Sequence, residues 1–408
     1  DQWVSDKNNG TYPTYSNIDT WNSTLAIEWK INEDLTLKSI TAYRDLDSEF
    51  ARDSDESPLK ILHLFDNYQS DQVSQEIQLM GSSFDGKLDW ITGFYYFDEN
   101  GNNQNLLEFS IADFISGSKF GSESKALFAQ GTYHVNDKLD ITVGMRYTKE
   151  EKSYDPDQIV GPNLIGIPYP SGTACLLQDE GANLANGTPG LVVNLPPSIC
   201  PVAIVPPGLQ KKSTNEITPM VNVAYNFNDE LMTYATYSEG FRSGGFVQRI
   251  FPPLPFVPSF GPEFVKSYEL GFKFTNDQGN FSLNGAGFFM DYSDIQVRTQ
   301  NPGFIGEFEA NVGDAEIAGF ELESKWQPLE SWFIEMAVGY TDAKYTAIRV
   351  DPPLVAEVNL NSEFDHVPEW SLSASVSKEF DFGAMGSLVA RVSGNYHSGY
   401  FNNPANSP

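Results

Sequence analysis

Apolar and polar residues alternate with a period of two through segment after segment of this chain, the pattern of a β-strand with two unlike surroundings. Leu139, Ile141, Val143, Met145 and Tyr147 fall on one face, with Asp140, Thr142, Gly144 and Arg146 on the other. Tyr268, Leu270, Phe272 and Phe274 likewise oppose Glu269, Gly271 and Lys273, and Phe320, Leu322, Ser324 and Trp326 oppose Glu321, Glu323 and Lys325. About fourteen such segments lie near 20–31, 35–50, 68–80, 87–100, 122–135, 139–154, 212–227, 231–247, 263–276, 280–298, 313–327, 332–346, 366–380 and 387–401.

Most of these segments run roughly twelve to sixteen residues, whereas strands of globular proteins cluster near five or six. A tilted strand that crosses a bilayer needs about nine to eleven. The connections alternate. Asn32-Glu33-Asp34, Asn136-Asp137-Lys138, Asn228-Asp229-Glu230, Asn276 to Asn280 and Pro328 to Ser331 are short, and they carry residues that tolerate tight turns. Long loops are expected at 51–67, 101–121, 155–211, 248–262, 299–312 and 347–365. Short turns at one end and long loops at the other are characteristic of outer-membrane barrels. The pattern therefore predicts an all-β, antiparallel transmembrane β-barrel.

Aromatic placement agrees. Trp29, Trp90, Tyr133, Tyr225, Phe274, Phe281, Trp326, Trp332 and Phe380 fall beside short turns on the apolar face. Tyr147, Tyr268, Phe289, Tyr340 and Tyr396 lie toward the long loops. Trp332 and Tyr340 share a face, and their separation corresponds to roughly 20 Å along a membrane normal, close to the ~25 Å apolar band of such barrels. Lys378 stands in the apolar register beside a short turn, where the cost of its charge falls toward zero.

Composition narrows function more than fold. With 55 acidic against 25 basic residues, the formal charge of −30 argues against a nucleic-acid partner. No G-x-S-x-G, P-loop, dinucleotide or H-E-x-x-H pattern occurs, and His63, His134, His366 and His397 are scattered, as surface or strand-filling histidines are. Gly244-Gly245 reads as a bulge or the beginning of a loop. No catalytic residue, cofactor or metal is expected. The chain begins within a polar segment, Asp1-Gln2-Trp3, with no leader pattern, and so reads as a fragment.

Particular stretches carry a family likeness. Gly240-Phe241-Arg242-Ser243-Gly244-Gly245-Phe246, Pro262 to Gly271, Phe288 to Gln296, Asn311 to Glu323 and Gln75-Glu76-Ile77-Gln78-Leu79 resemble the barrel of TonB-dependent receptors, over nearly the whole chain and in order. The resemblance implies that residues 1–408 are part of a 22-stranded barrel whose lumen is plugged. The plug and the C-terminal strands are expected to lie outside this chain, leaving open edges near 20–31 and 387–401, although open edges cannot persist in lipid. It further implies the bacterial outer membrane as location, with its lipid and lipopolysaccharide, TonB as partner, and active uptake of a scarce bulky solute. A ferric siderophore is the first expectation, followed by cobalamin or an oligosaccharide. A passive porin and a soluble carbohydrate-binding or adhesion module are the alternatives.

Candidate ligand contacts at the long-loop ends of strands are Arg44, Arg52, Tyr237, Phe241, Arg242, Arg249 and Arg298, whose cationic and aromatic groups would suit an anionic chelate. These arginines could equally balance neighbouring acids such as Asp45 and Asp47. Cys175 and Cys200, both in the longest loop, favour a disulfide over two free thiols in an oxidising periplasm. Metal binding by the pair is not expected, since no His or second Cys pair lies near.

Overall fold

The structure is a computed structural model and describes residues 10–59, 61–109, 112–162, 202–248, 254–300, 307–349 and 358–403. One antiparallel sheet contains fourteen long strands, each paired to its neighbours in sequence. They are β1 (Tyr15–Lys30), β2 (Leu35–Asp53), β3 (Leu62–Ser83), β4 (Leu88–Phe109), β5 (Ala112–Asn136), β6 (Leu139–Pro162) and β7 (Gln210–Asn226). β8 (Leu231–Arg242), β9 (Glu263–Thr275), β10 (Phe281–Gln300), β11 (Glu307–Trp326), β12 (Trp332–Ile348), β13 (Trp370–Asp381) and β14 (Ser387–His397) complete it. β1 and β14 stand at the ends of the path, and no ladder joins them among the described residues.

The short turns form where asparagine can act as a surrogate for backbone. Asn136 Oδ1 accepts from the N–H groups of Lys138 and Leu139, at 2.9 and 3.1 Å. Asn228 Oδ1 does the same for Glu230 and Leu231, and Asn276 Oδ1 accepts from Phe281 N. These side chains close the turn before the ladder begins and so set the register of each hairpin.

Directly opposed residues in an antiparallel ladder share a face, so the pairings sort every side chain. Tyr237, Tyr268 and Phe289 form a row on the apolar face, with ring centroids 5.1 and 6.3 Å apart. Phe320, Tyr340 and Trp370 form another. Beside the short turns, the Lys378 ammonium lies 4.9 Å from the Trp332 ring and 4.7 Å from that of Phe380. Between these aromatic rows, side chains such as Leu270 (67% exposed) and Met145 face outward. Apolar surface of this extent is the mark of a face that meets another apolar phase.

The other face is polar, and it is the inner one. The segment after β8 folds across it: Ser243 Oγ donates to Glu150 of β6 at 2.6 Å, and the Gln296 amide of β10 holds the Ser243 carbonyl at 3.0 Å. One segment therefore touches polar faces from two distant parts of the sheet. Polar rows run across it in register. Asn22, Arg44, Gln72, Glu99, Ser122, Lys152 and Lys212 stand side by side on β1 to β7.

Several strands are longer than the alternation predicts. β4, β5 and β6 have 22, 25 and 24 residues, and most of the loop expected at 101–121 is a continuation of the β4–β5 hairpin. There the apolar face ends: Asp45 opposes Asp71, and Asp98 opposes Glu123. With water on both sides no alternation is required, and none marks these residues as strand. At the other extreme, the segment expected at 366–380 begins only at Trp370, because His366 has a φ of 58° and sits in a turn.

Buried hydrophobic side chains gather at the long-loop end. Ile204, Val247, Ile295, Val297, Phe308, Ala310, Val312, Ala315, Tyr345 and Val358 form a dry cluster. It joins β10, β11 and β12 to Ile204 and Val358, from expected loops, and to Val247, at the end of a segment expected as strand that leaves the ladder after Arg242.

Candidate functional site

Near the long-loop end of the polar face, the sheet and the inward segment enclose a recess of about 630 Å³. Its wall is assembled by register. Glu99 of β4 faces Ser122 of β5, which faces Lys152 of β6. Two positions further along, Gly101 faces Phe120 and Phe120 faces Tyr154. A Cβ at Gly101 would collide with the Phe120 ring. Glycine thus lets that ring lie across β4, where it stacks on Tyr68 of β3 at 5.3 Å and 25°.

A second stacked pair stands opposite. Tyr154 is 2% exposed, and its ring lies 5.6 Å from Phe246 at 17°. Gln158 donates to the Tyr154 hydroxyl at 2.6 Å and to the Gln248 carbonyl. Phe246 reaches the recess because Gly244 and Gly245 allow close contact with residues 259–261. A Cβ at Gly245 would meet the Phe260 ring at 2.8 Å.

Two amides hold this inward segment. Gln296 Nε2 donates to the carbonyls of Arg242, Ser243 and Gly261. Asn311 Nδ2 donates to those of Gly261, Pro262 and Asp294, while its Oδ1 accepts from Gly261 N. Gln296 and Asn311 face each other across the β10–β11 ladder, so the two clamps act from one point.

The charged groups are largely paired. Arg242 bonds Glu309 at 2.9 Å, and Arg298 stands directly across the ladder from Glu309. The Lys152 ammonium is 3.5 Å from Glu150. Lys212 turns to the Ser259 hydroxyl at 3.4 Å, and burial lowers its ammonium pKa. Burial, and then the Glu99 carboxylate, push the Tyr68 phenol up, while Ser70 and Arg44 pull it the other way.

The sequence-predicted contacts separate in space. Arg298 lines the recess, Arg242 is bonded to one of its walls, and Arg44 lies in the Glu99 row two strands away. Arg52 is on the same polar face further up β2, with Nε bonded to Ser54 at 3.0 Å. Tyr237 and Phe241 do not join them. They oppose Tyr268 and Phe264 on the apolar side, where Tyr237 belongs to the aromatic row. Arg249, Cys175 and Cys200 lie outside the described residues. Tyr68, Phe120, Tyr154, Glu99 and Lys152 were not singled out from sequence. Strand parity alone places Phe120 beside Ser122 on one face, but its neighbours emerge only from cross-strand register.

The histidines are not all incidental. His63 is buried between Asp53 at 3.8 Å and Glu108 at 3.4 Å, beneath the Tyr12 ring. Asp53, Asp55 and His63 present donor atoms within 4.8 Å of one another, the spacing of a cation site. Their carboxylates are occupied from within. Asp53 accepts from the N–H groups of Thr11, Asp55 and Glu56, and Asp55 from those of Ser57, Ile61 and Leu62. The cluster ties the loop at 54–61 to β2–β4.

Comparison with known proteins places these features in context. The family described as TonB dependent receptor-like, beta-barrel, matches residues 1–408. The chain is 21% identical over 310 residues to a pesticin receptor of Yersinia enterocolitica, covering 76% of this chain and 38% of that protein. The ferric yersiniabactin uptake receptor of Yersinia pestis superposes with a TM-score of 0.73 at 17% identity, covering 96% of this chain and 52% of that one. The siderophore receptor PiuA of Acinetobacter baumannii gives 0.68 at 14% identity, with 97% and 56% covered. The chain thus spans about half the length of these structures and less of the curated relative.

Proposed function

The chain belongs to the TonB-dependent receptor-like β-barrel family, and from that premise we propose that it forms part of an outer-membrane receptor that actively imports a scarce bulky solute, first of all a ferric siderophore. The observation that carries this reading is the two-sided sheet. Its outer face is apolar between two aromatic rows, and its inner face is polar with an aromatic recess at the long-loop end. The apolar face would meet lipid and, above it, lipopolysaccharide, while the recess would hold the solute at the outer mouth. Entry would follow displacement of a plug by TonB, driven by the proton gradient of the inner membrane. The side chains described here bind and orient, and no bond of the solute is broken.

The test is uptake of radio-iron chelates by a strain deprived of its own siderophore receptors and supplied with the gene product. Accumulation is expected for at least one chelate, and it should vanish in a TonB-null background or after collapse of the proton gradient. Accumulation that persists without TonB would indicate a passive pore and sink the reading.

A further inference from the structure

The charges around the recess cancel, and this bears on what the recess admits. Its lining and their ion-pair partners comprise three carboxylates, Glu99, Glu150 and Glu309, and three cations, Lys152, Arg242 and Arg298. Among these, Arg242 and Lys152 already sit on carboxylates, and Arg298 shares a ladder step with Glu309. The flanking groups on the same polar face are also of mixed sign, with Arg44, Arg52 and Lys212 accompanied by Asp66 and Glu263.

The sequence of the remaining long-loop segments adds no positive surplus. Residues 163–201, 249–253, 301–306 and 350–357 contain Arg249 against Asp179, Glu180, Asp351 and Glu357. A strongly anionic solute would have to separate an existing pair, exposing one carboxylate for every cation it gained. What the recess offers without such a cost is ring surface. Tyr68, Phe120 and Phe246 present ring surface to one cavity, Tyr68 and Phe120 as a stacked pair and Phe246 backed by the buried Tyr154.

Building on the siderophore reading above, we propose that this recess selects an iron chelate of low net charge that presents an aromatic ring, and discriminates against polyanionic chelates. The specificity-determining groups are Phe120 and Phe246 for the ring, and Glu99 and Glu309 for the charge. Both carboxylates act by opposing an excess of negative charge, a repulsive contribution to selectivity.

Three iron(III) complexes separate ring from charge. Ferric tris(benzohydroxamate) is neutral with aryl rings, ferric tris(catecholate) is a trianion with aryl rings, and ferric tris(acetohydroxamate) is neutral without rings. Their binding to the purified full-length gene product is measured by equilibrium dialysis with excess ligand at low ionic strength. The neutral aryl complex is expected to bind at least tenfold more tightly than either of the others. Raising the salt to about 0.5 M should narrow its margin over the trianion, since screening then acts within a few ångströms. Glu99→Gln with Glu309→Gln should improve binding of the trianion severalfold, and Phe120→Leu should weaken the neutral aryl complex alone.

If the trianion binds as tightly as the neutral aryl complex, or more so, the proposal on charge is overturned while the siderophore reading stands. Equal binding of the ring-free complex overturns the proposal on rings. If none of the three binds and no iron chelate is taken up by cells, the siderophore reading falls and this inference with it. The salt series on the unaltered protein keeps the test decisive should the double variant fail to fold.

Discussion

Met145 and Gln158 lie on the same strand, yet the apolar residue is 57% exposed and the polar one only 4%. They belong to two regions with opposite rules. Around Met145 the sheet separates an apolar outer phase from a polar inside, so hydrophobic side chains point out and charges point in. Around Gln158 both faces of the sheet extend beyond that phase. There the inward segment and the dry cluster on β10–β12 supply the burial. A sheet can therefore change what it buries within one strand, without a break in its ladder. What changes is the surroundings of the strand.

The largest way to sharpen this contrast is a charge on the apolar face. Leu270→Arg is expected to cost about 2–4 kcal/mol, as it does on lipid-facing positions near mid-membrane. Asn102→Arg, on the corresponding face of the extension, should stay within about 0.5 kcal/mol. Guanidinium unfolding of the gene product in phospholipid vesicles compares the two, and equal costs would mean that Leu270 does not face lipid.

Gly101→Val comes next. Overpacking against Phe120 is expected to cost about 1–3 kcal/mol and to unstack Phe120 from Tyr68. Gly339→Ala, where an added Cβ meets nothing within 4 Å, should be close to neutral. A crystal structure of the Gly101 variant with the two rings still stacked would remove the role given to that glycine.

In the dry cluster, Val312 is fully buried. Val312→Ala removes two carbons there, at about 1.5 kcal/mol. The loss should appear as faster proteolysis at the long-loop end, while the apolar band keeps its protection. Uniform loss across the sheet would contradict independent stabilisation of the two regions.

The smallest effect concerns pH. The Ser57 hydroxyl and the Leu62 N–H, with those of Ser57 and Ile61, hold the Asp55 carboxyl down at about 2, below its usual 3.8. A lowered folded-state pKa contributes stability above the ordinary value, which is lost as pH falls through the folded one. The loop at 54–61 should therefore open between about pH 4 and pH 2, seen as faster amide hydrogen exchange. Asp55→Asn should flatten that dependence, and a loop equally protected at pH 2 and pH 5 would refute it.

The same contrast explains what could be read from sequence. Alternation such as Leu139 to Tyr147 revealed the band, its aromatic rows and the position of Lys378, because unlike surroundings had shaped it. Asn102 to Asn105 carry no alternation, so the extension of β4 passed for loop. For the candidate site, the place of Arg298 and Arg44 near strand ends was enough to put them at the long-loop end of the polar face. Tyr237 was not placed correctly, because both faces of β8 carry tyrosine, Tyr234 on one and Tyr237 on the other, and composition cannot tell them apart. Phe246 gives no local signal at all, since only the glycines before it and the amides of Gln296 and Asn311 bring it inward.

Those two amides have a mechanical consequence. They rivet the 242–262 segment at both of its ends to a single rung of the sheet. Swinging one end free would strand several carbonyls at once, so those two ends are held in place beside the recess. Loss of the Gln296 amide alone should therefore loosen both ends together.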